Sequence, residues 1–430
     1  MIMSINEKIK SSRLVKNVSW IFFGNLIHAI LAFLLNILVA RILNLNDNGM
    51  LTYAASWIAF FTSVGTLGFH GIIRREFSKN EAKANDYIWS CIAGRLVFSV
   101  IAIIVLQIIV RISSPNEHTL HIIVLCQSMS ILFGSFDMFI YWYRYKNQAN
   151  VTAIYRLIAF GISAIWRVVA VAVIKSLTLY VIGIVAETAL FIAFLIAFYS
   201  RHYTKTVHVS GKTFFMMLKI SYPFIFSAVL ATIYGQADKI MLKNMIDNSS
   251  VALYNASALI AGLVVIIPTT IIEGFRPDIM DAKINDESLY RRRMRQLYAI
   301  IFWACIAYGI FITVFAKPII LILYGKKYLG AVSSLSLIVW YTSFSYFGAI
   351  NNVYMVAEDV IKWVQVTTLL GAVLNIVLNF FFINLWGIVG AALASLLTQI
   401  FANFVLMAVI PDLRKGFKIM VQGIALRNIR

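Results

Sequence analysis

Charge is what this chain most lacks. Asp, Glu, Lys and Arg make up 13% of its 430 residues and 61% are hydrophobic, whereas a soluble domain carries about 25% charge. Too little polar surface remains to clothe a water-exposed fold. An all-α, polytopic membrane protein is the class that fits. Cysteine is nearly absent as well. Cys91, Cys126 and Cys305 sit inside apolar runs with no metal-ligand spacing, which excludes a disulfide framework. The first apolar run is of spanning length and has no small-residue cleavage site beside it, so no cleavable leader is expected.

The signatures of enzymes are missing too. There is no Gly-rich loop ending in Gly-Lys-Ser/Thr, so the chain does not hydrolyse ATP by itself. There is no His-Glu-x-x-His motif and no nucleophile elbow. His118 and His121 stand three apart but have no third ligand in sight for a metal. The longest extramembrane piece, about 277–296, is basic and too short for a catalytic domain. These gaps point away from an enzyme and from any resident cofactor.

The formal net charge is +19. The basic residues fall in loops between apolar segments, the positive-inside pattern, and form no stripe interleaved with aromatics. Nucleic acid is therefore not the expected partner. A helix needs about 20 apolar residues to cross the hydrocarbon. That ruler places twelve spans, near 18–42, 50–73, 88–112, 119–142, 152–174, 178–200, 217–244, 251–273, 297–324, 332–357, 360–383 and 387–411. Alternate loops hold most of the lysine and arginine, which puts both termini in the cytoplasm.

The chain reads as two halves, 1–205 and 206–430. DNGMLTYAAS (47–56) resembles NSSVALYNAS (248–257), and AIWRVVAVAVI (164–174) aligns with AVLNIVLNFFF (372–382), setting Arg167 opposite Asn375. Repeated halves are a usual build of transporters.

Six cations lie within the apolar spans: Arg41, Arg95, Arg156, Arg167, Lys219 and Lys239. Each costs about 2.5–3.5 kcal/mol at a helix centre. Those near helix ends can snorkel. Arg95 and Arg167 lie deeper, and the alternative to a substrate role is pairing with an acid such as Asp137 or Glu187. The first half adds Arg74 and Arg75 at a helix end, with Asn25, His28 and Asn36 in span one. The second half offers Asp238, Glu273, Asn351, Asn352, Asn375 and Asn379. A cationic lobe suits an anionic substrate, because the guanidinium fork binds phosphate bidentately. The expected substrate contacts are Arg41, Arg74, Arg75, Arg95, Arg156, Arg167, Asn25 and His28. Trp20, Trp57, Tyr141, Tyr143 and Trp166 are candidates for stacking on sugars.

The stretch LNIVLNFFFINLWGIVGAALASL (374–396) is two apolar segments split at Asn384–Gly387. Asn375 and Asn379 are four apart, on one helix face, and the second segment is lined with small residues that let helices approach. This stretch, KNVSWIFFGNLIHAILAFLLNILVARILNLNDNGML (16–51), IYGQADKIMLKNM (233–245) and KPIILILYGKKYLGAVSSL (317–335) together resemble Wzx-type O-antigen and polysaccharide flippases of the multidrug/oligosaccharidyl-lipid/polysaccharide exporter superfamily. The resemblance runs nearly end to end. It implies two six-helix lobes around a central cavity, and passage of an undecaprenyl-diphosphate-linked oligosaccharide to the periplasmic leaflet of a bacterial inner membrane, for O antigen or lipopolysaccharide biosynthesis. Membrane lipid, a polysaccharide polymerase and chain-length proteins are the partners it implies, with the flippase itself a monomer. Arg74 and Arg75 match a doubled arginine of the related lipid II flippases, whereas Ala258 stands where those carry a further cavity arginine. The resemblance also implies a cation site at Asp238, Asn375, Asn379 and Ser395 with the carbonyl of Ala391. The coupling ion is sodium there, or a proton on Asp238 or Glu187 in an antiporter-like cycle. A drug or metabolite exporter of the same superfamily is the alternative, and a membrane polymerase or ligase a more distant one.

Overall fold

The computed structural model describes residues 5–203 and 206–427, with the side chains of the first helix described from Trp20 onward. Lys205 and Arg430, among the basic residues that suggest orientation, lie outside them. Sixteen α-helices follow one another, with no strand among the described residues: α1 (Ile5–Ile42), α2 (Leu45–Gly65), α3 (Ile73–Lys79), α4 (Ala84–Ser113), α5 (His118–Gly134), α6 (Met138–Tyr145), α7 (Ala149–Ala172), α8 (Leu177–His202), α9 (Gly211–Met245), α10 (Asn248–Gly262), α11 (Ile266–Asn285), α12 (Glu287–Leu323), α13 (Ala331–Ala357), α14 (Lys362–Ile400), α15 (Leu406–Val409) and α16 (Arg414–Ile424).

Eight stretches are long and apolar enough to cross a membrane, and α10 with α11, bent by 44° at a short break, make a ninth. Helices stand at all twelve expected spans. α2 and α13 are not among the nine; α2 opens on Asn46, Asp47 and Asn48 and α13 carries several serines and two asparagines. The last two spans count as one because α14 is continuous by hydrogen bonding, yet it is two arms. Gly387 has φ 59° and ψ −132°, outside the helical region. In a straight helix Asn375 and Ser395, twenty positions apart, would be separated by about 30 Å. Here Asn375 Nδ2 donates to Ser395 Oγ at 3.2 Å, so the second arm folds back along the first.

The turn demands a residue without a side chain, and a second glycine lets the arms touch. A Cβ on Gly390 would sit 1.9 Å from the Phe382 carbonyl oxygen. Gly390→Ala is therefore expected to spread the arms and destabilise the protein by about 1–3 kcal/mol or more. Thermal unfolding in detergent would measure it.

The expected basic loop at 277–296 is instead two helix ends. α11 runs to Asn285 and α12 starts at Glu287, with Asp286 between them in extended backbone, φ −154° and ψ 99°. Its carboxylate accepts from Ser288 Oγ at 2.7 Å and from the backbone N–H of Ser288 and Leu289, capping α12. The Ser288 hydroxyl and those N–H groups hold its carboxyl below the ordinary range.

The chain forms two compact units, Met1–Thr232 and Ile233–Arg430. The division lies inside α9, beyond the 205/206 boundary read from the sequence, because the first turns of α9 are fastened to the first unit. Ser210 N donates to Ser90 Oγ at 2.9 Å and Ser221 Oγ to the Leu67 carbonyl at 2.7 Å. The first unit centres on Phe69, Phe77, Phe139, Tyr143, Leu195 and Met217. The second centres on Tyr290, Tyr298, Phe347, Tyr354 and Met420, with α12 packed against α13 and α16. The resembling segments 47–56 and 248–257 both open capped helices: Asn44 caps α2 and Asp247 caps α10.

Candidate functional site

In the second unit, α9, α10 and both arms of α14 bring five polar side chains together. Asp238 is 6% exposed, Asn375 1%, Asn379 0% and Ser395 2%. Asn379 Nδ2 donates to Asp238 Oδ1 at 2.6 Å, and Ser395 Oγ donates to Asp238 Oδ2 at 2.6 Å. The Tyr254 hydroxyl donates to the same Oδ2. Asn379 Nδ2 also donates to Asn375 Oδ1 at 3.0 Å. Asp238 makes no ion pair among the described residues: the groups that hydrogen-bond its carboxylate are all neutral. A lone ionised carboxylate in a dry interior is costly. Hydrogen bonds from Asn379, Ser395 and Tyr254 offset part of that cost, and a proton or a bound cation would offset the rest.

The donor set is all oxygen, as a hard cation prefers. Two Asp238 oxygens, Asn375 Oδ1, Ser395 Oγ and the Tyr254 hydroxyl oxygen converge from four helical segments. Asn379 Oδ1 is buried with no hydrogen-bond partner, and rotating that amide by half a turn would exchange its nitrogen for this oxygen beside Asp238. The residues present thus fit a sodium ion or a proton. Sequence reasoning identified four of the five side chains. It missed Tyr254, inside the NSSVALYNAS segment, because a tyrosine in an apolar helix carries no signal that it reaches an acid.

In the first unit the expected arginines separate into distinct roles. Arg95, expected among the substrate contacts, is 2% exposed and its guanidinium is engaged within the protein. It is salt-bridged to Asp137, its Nε donates to the Gly65 carbonyl at 3.0 Å and its Nη2 to the Gly134 carbonyl at 3.0 Å. Pairing with Asp137 was the sequence alternative; burial among three helix ends enforces it. Arg167 is likewise paired: Nη2 meets Glu187 Oε2 at 2.7 Å, and its guanidinium lies 5.3 Å over the Phe160 ring. His28 Nε2 lies 3.2 Å from Glu187 Oε1. His28, Glu187 and Arg167 therefore form one ionic cluster linking α1, α7 and α8, where the sequence had divided them between substrate and ion roles.

Asn25 and Arg156 share one pocket. They line it with Trp20, Gly24, Arg144 and Thr152. Arg156 lies 5.0 Å over the Phe191 ring. Neither Arg144 nor Arg156 pairs with a carboxylate among the described residues, and Arg144 Nε is buried without a partner. Two guanidinium groups thus line a pocket of about 10 Å³, with no carboxylate paired to either, and are a candidate contact for an anion. Arg144 was missed because at the end of α6 it reads as a loop residue. Arg74 and Arg75 are exposed on α3; Arg75 Nε leans on Glu76 at 3.2 Å, and Arg74 has no ion pair among the described residues. Arg41 lies in the last turn of α1, about 24 Å from Asn25 along the helix.

A family profile described as polysaccharide biosynthesis protein matches residues 14–274, more than half of the chain. No curated protein matches significantly. Among solved structures, the chain is similar to the lipid II flippase MurJ in an inward closed conformation, with 16% identity, a TM-score of 0.72 and coverage of 96% of this chain and 91% of that one. It is similar to an inward-facing multidrug resistance MATE family transporter of the MOP superfamily, with 13% identity, a TM-score of 0.67 and coverage of 92% and 94%. A MATE transporter from Vibrio cholerae matches with 12% identity, a TM-score of 0.58 and coverage of 97% and 98%. At these identities the likeness establishes the fold.

Proposed function

The chain belongs to the polysaccharide biosynthesis protein family, and we propose on that premise that it is a flippase for an undecaprenyl-diphosphate-linked oligosaccharide. The cargo passes from the cytoplasmic to the periplasmic leaflet of a bacterial inner membrane by alternating access, with both termini cytoplasmic. The observation that carries this reading is the acid-free arginine pair, Arg144 and Arg156, beside Asn25 and Trp20. Diphosphate supplies the negative charge the pair lacks, and the indole offers an apolar face to a sugar. Arg74 and Arg75 add exposed cations for the approaching headgroup. The similarity to a lipid II flippase agrees with a lipid-linked substrate.

Coupling is assigned to Asp238. Sodium or a proton neutralises its carboxylate, and a bound ion favours whichever conformation holds it more tightly. No enzymatic step is needed. A polymerase and chain-length proteins would receive the flipped repeat unit, and the flippase acts as a monomer. Drug export is the second reading, favoured by the likeness to multidrug transporters; drug susceptibility of a deletion strain separates the two.

The test is the sidedness of the lipid-linked oligosaccharide in membranes with and without the protein. Without it, the oligosaccharide should accumulate on the cytoplasmic face; accumulation of single units on the periplasmic face would instead indicate polymerisation. Arg74→Ala and Arg156→Ala should each cut surface-polysaccharide display at least tenfold at unchanged protein level, the equivalent of about 1.5–3 kcal/mol for a charged hydrogen bond. Normal display in both would remove the diphosphate clamp.

A further inference from the structure

α12 changes character abruptly along its length. It opens with Arg291, Arg292, Arg293 and Arg295 within its first turns, and from Leu297 onward is almost wholly apolar. With 37 residues it is about 55 Å long, well beyond the roughly 30 Å hydrocarbon thickness. Its basic start therefore lies at headgroup level and its apolar run in the acyl region.

At that transition lies a groove of about 430 Å³, lined by Gln296, Ala299, Ile300, Trp303 and Leu426. Trp303 is 50% exposed, Ile300 43% and Leu426 57%. The wall opposite α12 comes from the segment after α16. The helices are tied there, since Arg295 Nη1 donates to Gln422 Oε1 at 3.1 Å.

The basic and apolar residues share one face. Arg292 and Gln296 are four apart, as are Arg295 and Ala299, Gln296 and Ile300, and Ala299 and Trp303. Arg291 is tied to Glu287 at 2.9 Å and Arg293 to Gln296 at 3.2 Å, while Arg295 spends only Nη1, on Gln422. Arg292 Nε and Arg295 Nε are buried with no hydrogen-bond partner, and neither arginine makes an ion pair among the described residues. Asp286, which feels the charge of Arg292, is taken up in capping α12.

We propose that this groove is a binding site for an anionic phospholipid of the surrounding bilayer. The phosphate sits on Arg292 and Arg295, and an acyl chain runs along Ala299, Ile300 and Trp303 beneath Leu426. The order of chemistry along α12, cation then apolar trough, is the order of chemistry along a lipid. Phosphate supplies the counter-charge that no carboxylate gives these half-buried guanidinium groups, and the indole suits the interface between headgroup and chain.

The experiment is native mass spectrometry of the full-length protein released from nanodiscs of phosphatidylcholine doped with phosphatidylglycerol, followed by titration of phosphatidylglycerol in detergent. At least one phosphatidylglycerol should be retained through delipidation that removes phosphatidylcholine. Arg292→Gln and Arg295→Gln should each weaken retention roughly fivefold, and together about twenty-five-fold, from about 1 kcal/mol per basic residue near an anionic lipid. Trp303→Ala should weaken it without changing the preference for the anionic headgroup. Lys415→Gln with Lys418→Gln, on the exposed face of α16, should leave retention unchanged and serves as the folded control. Equal retention of the two phospholipids would overturn the proposal, as would unchanged retention in the double arginine variant or equal loss in the α16 control. Displacement of the phospholipid by stoichiometric undecaprenyl phosphate would overturn it too, reassigning the groove to the transported lipid.

Discussion

Asp238→Asn should reduce transport to background while leaving a folded protein. The substitution keeps the shape of the side chain and removes only its charge. The new amide oxygen can still accept from Asn379, and the new amide nitrogen can donate to Tyr254 and Ser395, whose hydroxyls accept as readily as they give. The melting temperature without ions should therefore hold or rise, because a lone carboxylate in a dry interior is itself costly. A bound cation loses its only charged ligand. Leaving a buried ion without its partner costs about 3–5 kcal/mol, a hundredfold or more in affinity. The measurement is thermal unfolding against sodium concentration. The native protein should gain about 2.7 kcal/mol at a hundred times the dissociation constant, and the variant nothing. An equal sodium response in both proteins would remove the cation from this site. A native protein that ignores sodium but whose transport depends on a pH gradient would make the proton the coupling ion.

The second large effect is one of folding. Arg95 ties three segments through the Gly65 carbonyl, the Gly134 carbonyl and Asp137. Arg95→Met strips the counter-charge from Asp137 and leaves two carbonyls without donors, so a loss of about 3–5 kcal/mol is expected. Folded yield should collapse, unlike that of Arg156→Ala. Combining Arg95→Met with Asp137→Asn should recover a large part of the loss, because the stranded carboxylate goes with its partner. A double-mutant cycle in detergent measures the coupling. If the two losses simply add, the pair is not the brace described here. If Arg95→Met is stable but inactive, Arg95 is a substrate ligand after all.

The membrane class and the helical passes were legible in the sequence because they depend on composition and short spacing, whereas Asp238 and Ser395 entered the cluster only through the family resemblance, being 141 and 157 positions from the partners they meet. Asn375 and Asn379 share a helix face by arithmetic alone. The fates of the arginines were less legible. Arg95, Arg156 and Arg167 look alike in the chain, yet two are neutralised by acids 42 and 20 positions away and one is not. Only the packing of α4 against α5 and of α7 against α8 decides that. Arg144 and the groove beside Trp303 were hidden for a related reason. Each is made by residues that look ordinary singly, a helix-end cation or an interfacial tryptophan, and gains meaning only from the element folded against it. The loop expected at 277–296 failed because a run of arginines suggests exposure, which a capped helix projecting beyond the hydrocarbon satisfies equally well.

The reversal at Gly387 makes the ion cluster a matter of phase. Asn375 and Asn379 stand on the outgoing arm, Ser395 on the returning one, and nothing but the residue count between them fixes which way the serine points. Leu385 and Trp386, 66% and 53% exposed at the bend, can vary in identity without disturbing that count. One residue inserted there would turn the returning arm by about 100°, carrying Ser395 off Asp238 and a bulkier neighbour into its place. Length at this bend is under tighter constraint than composition.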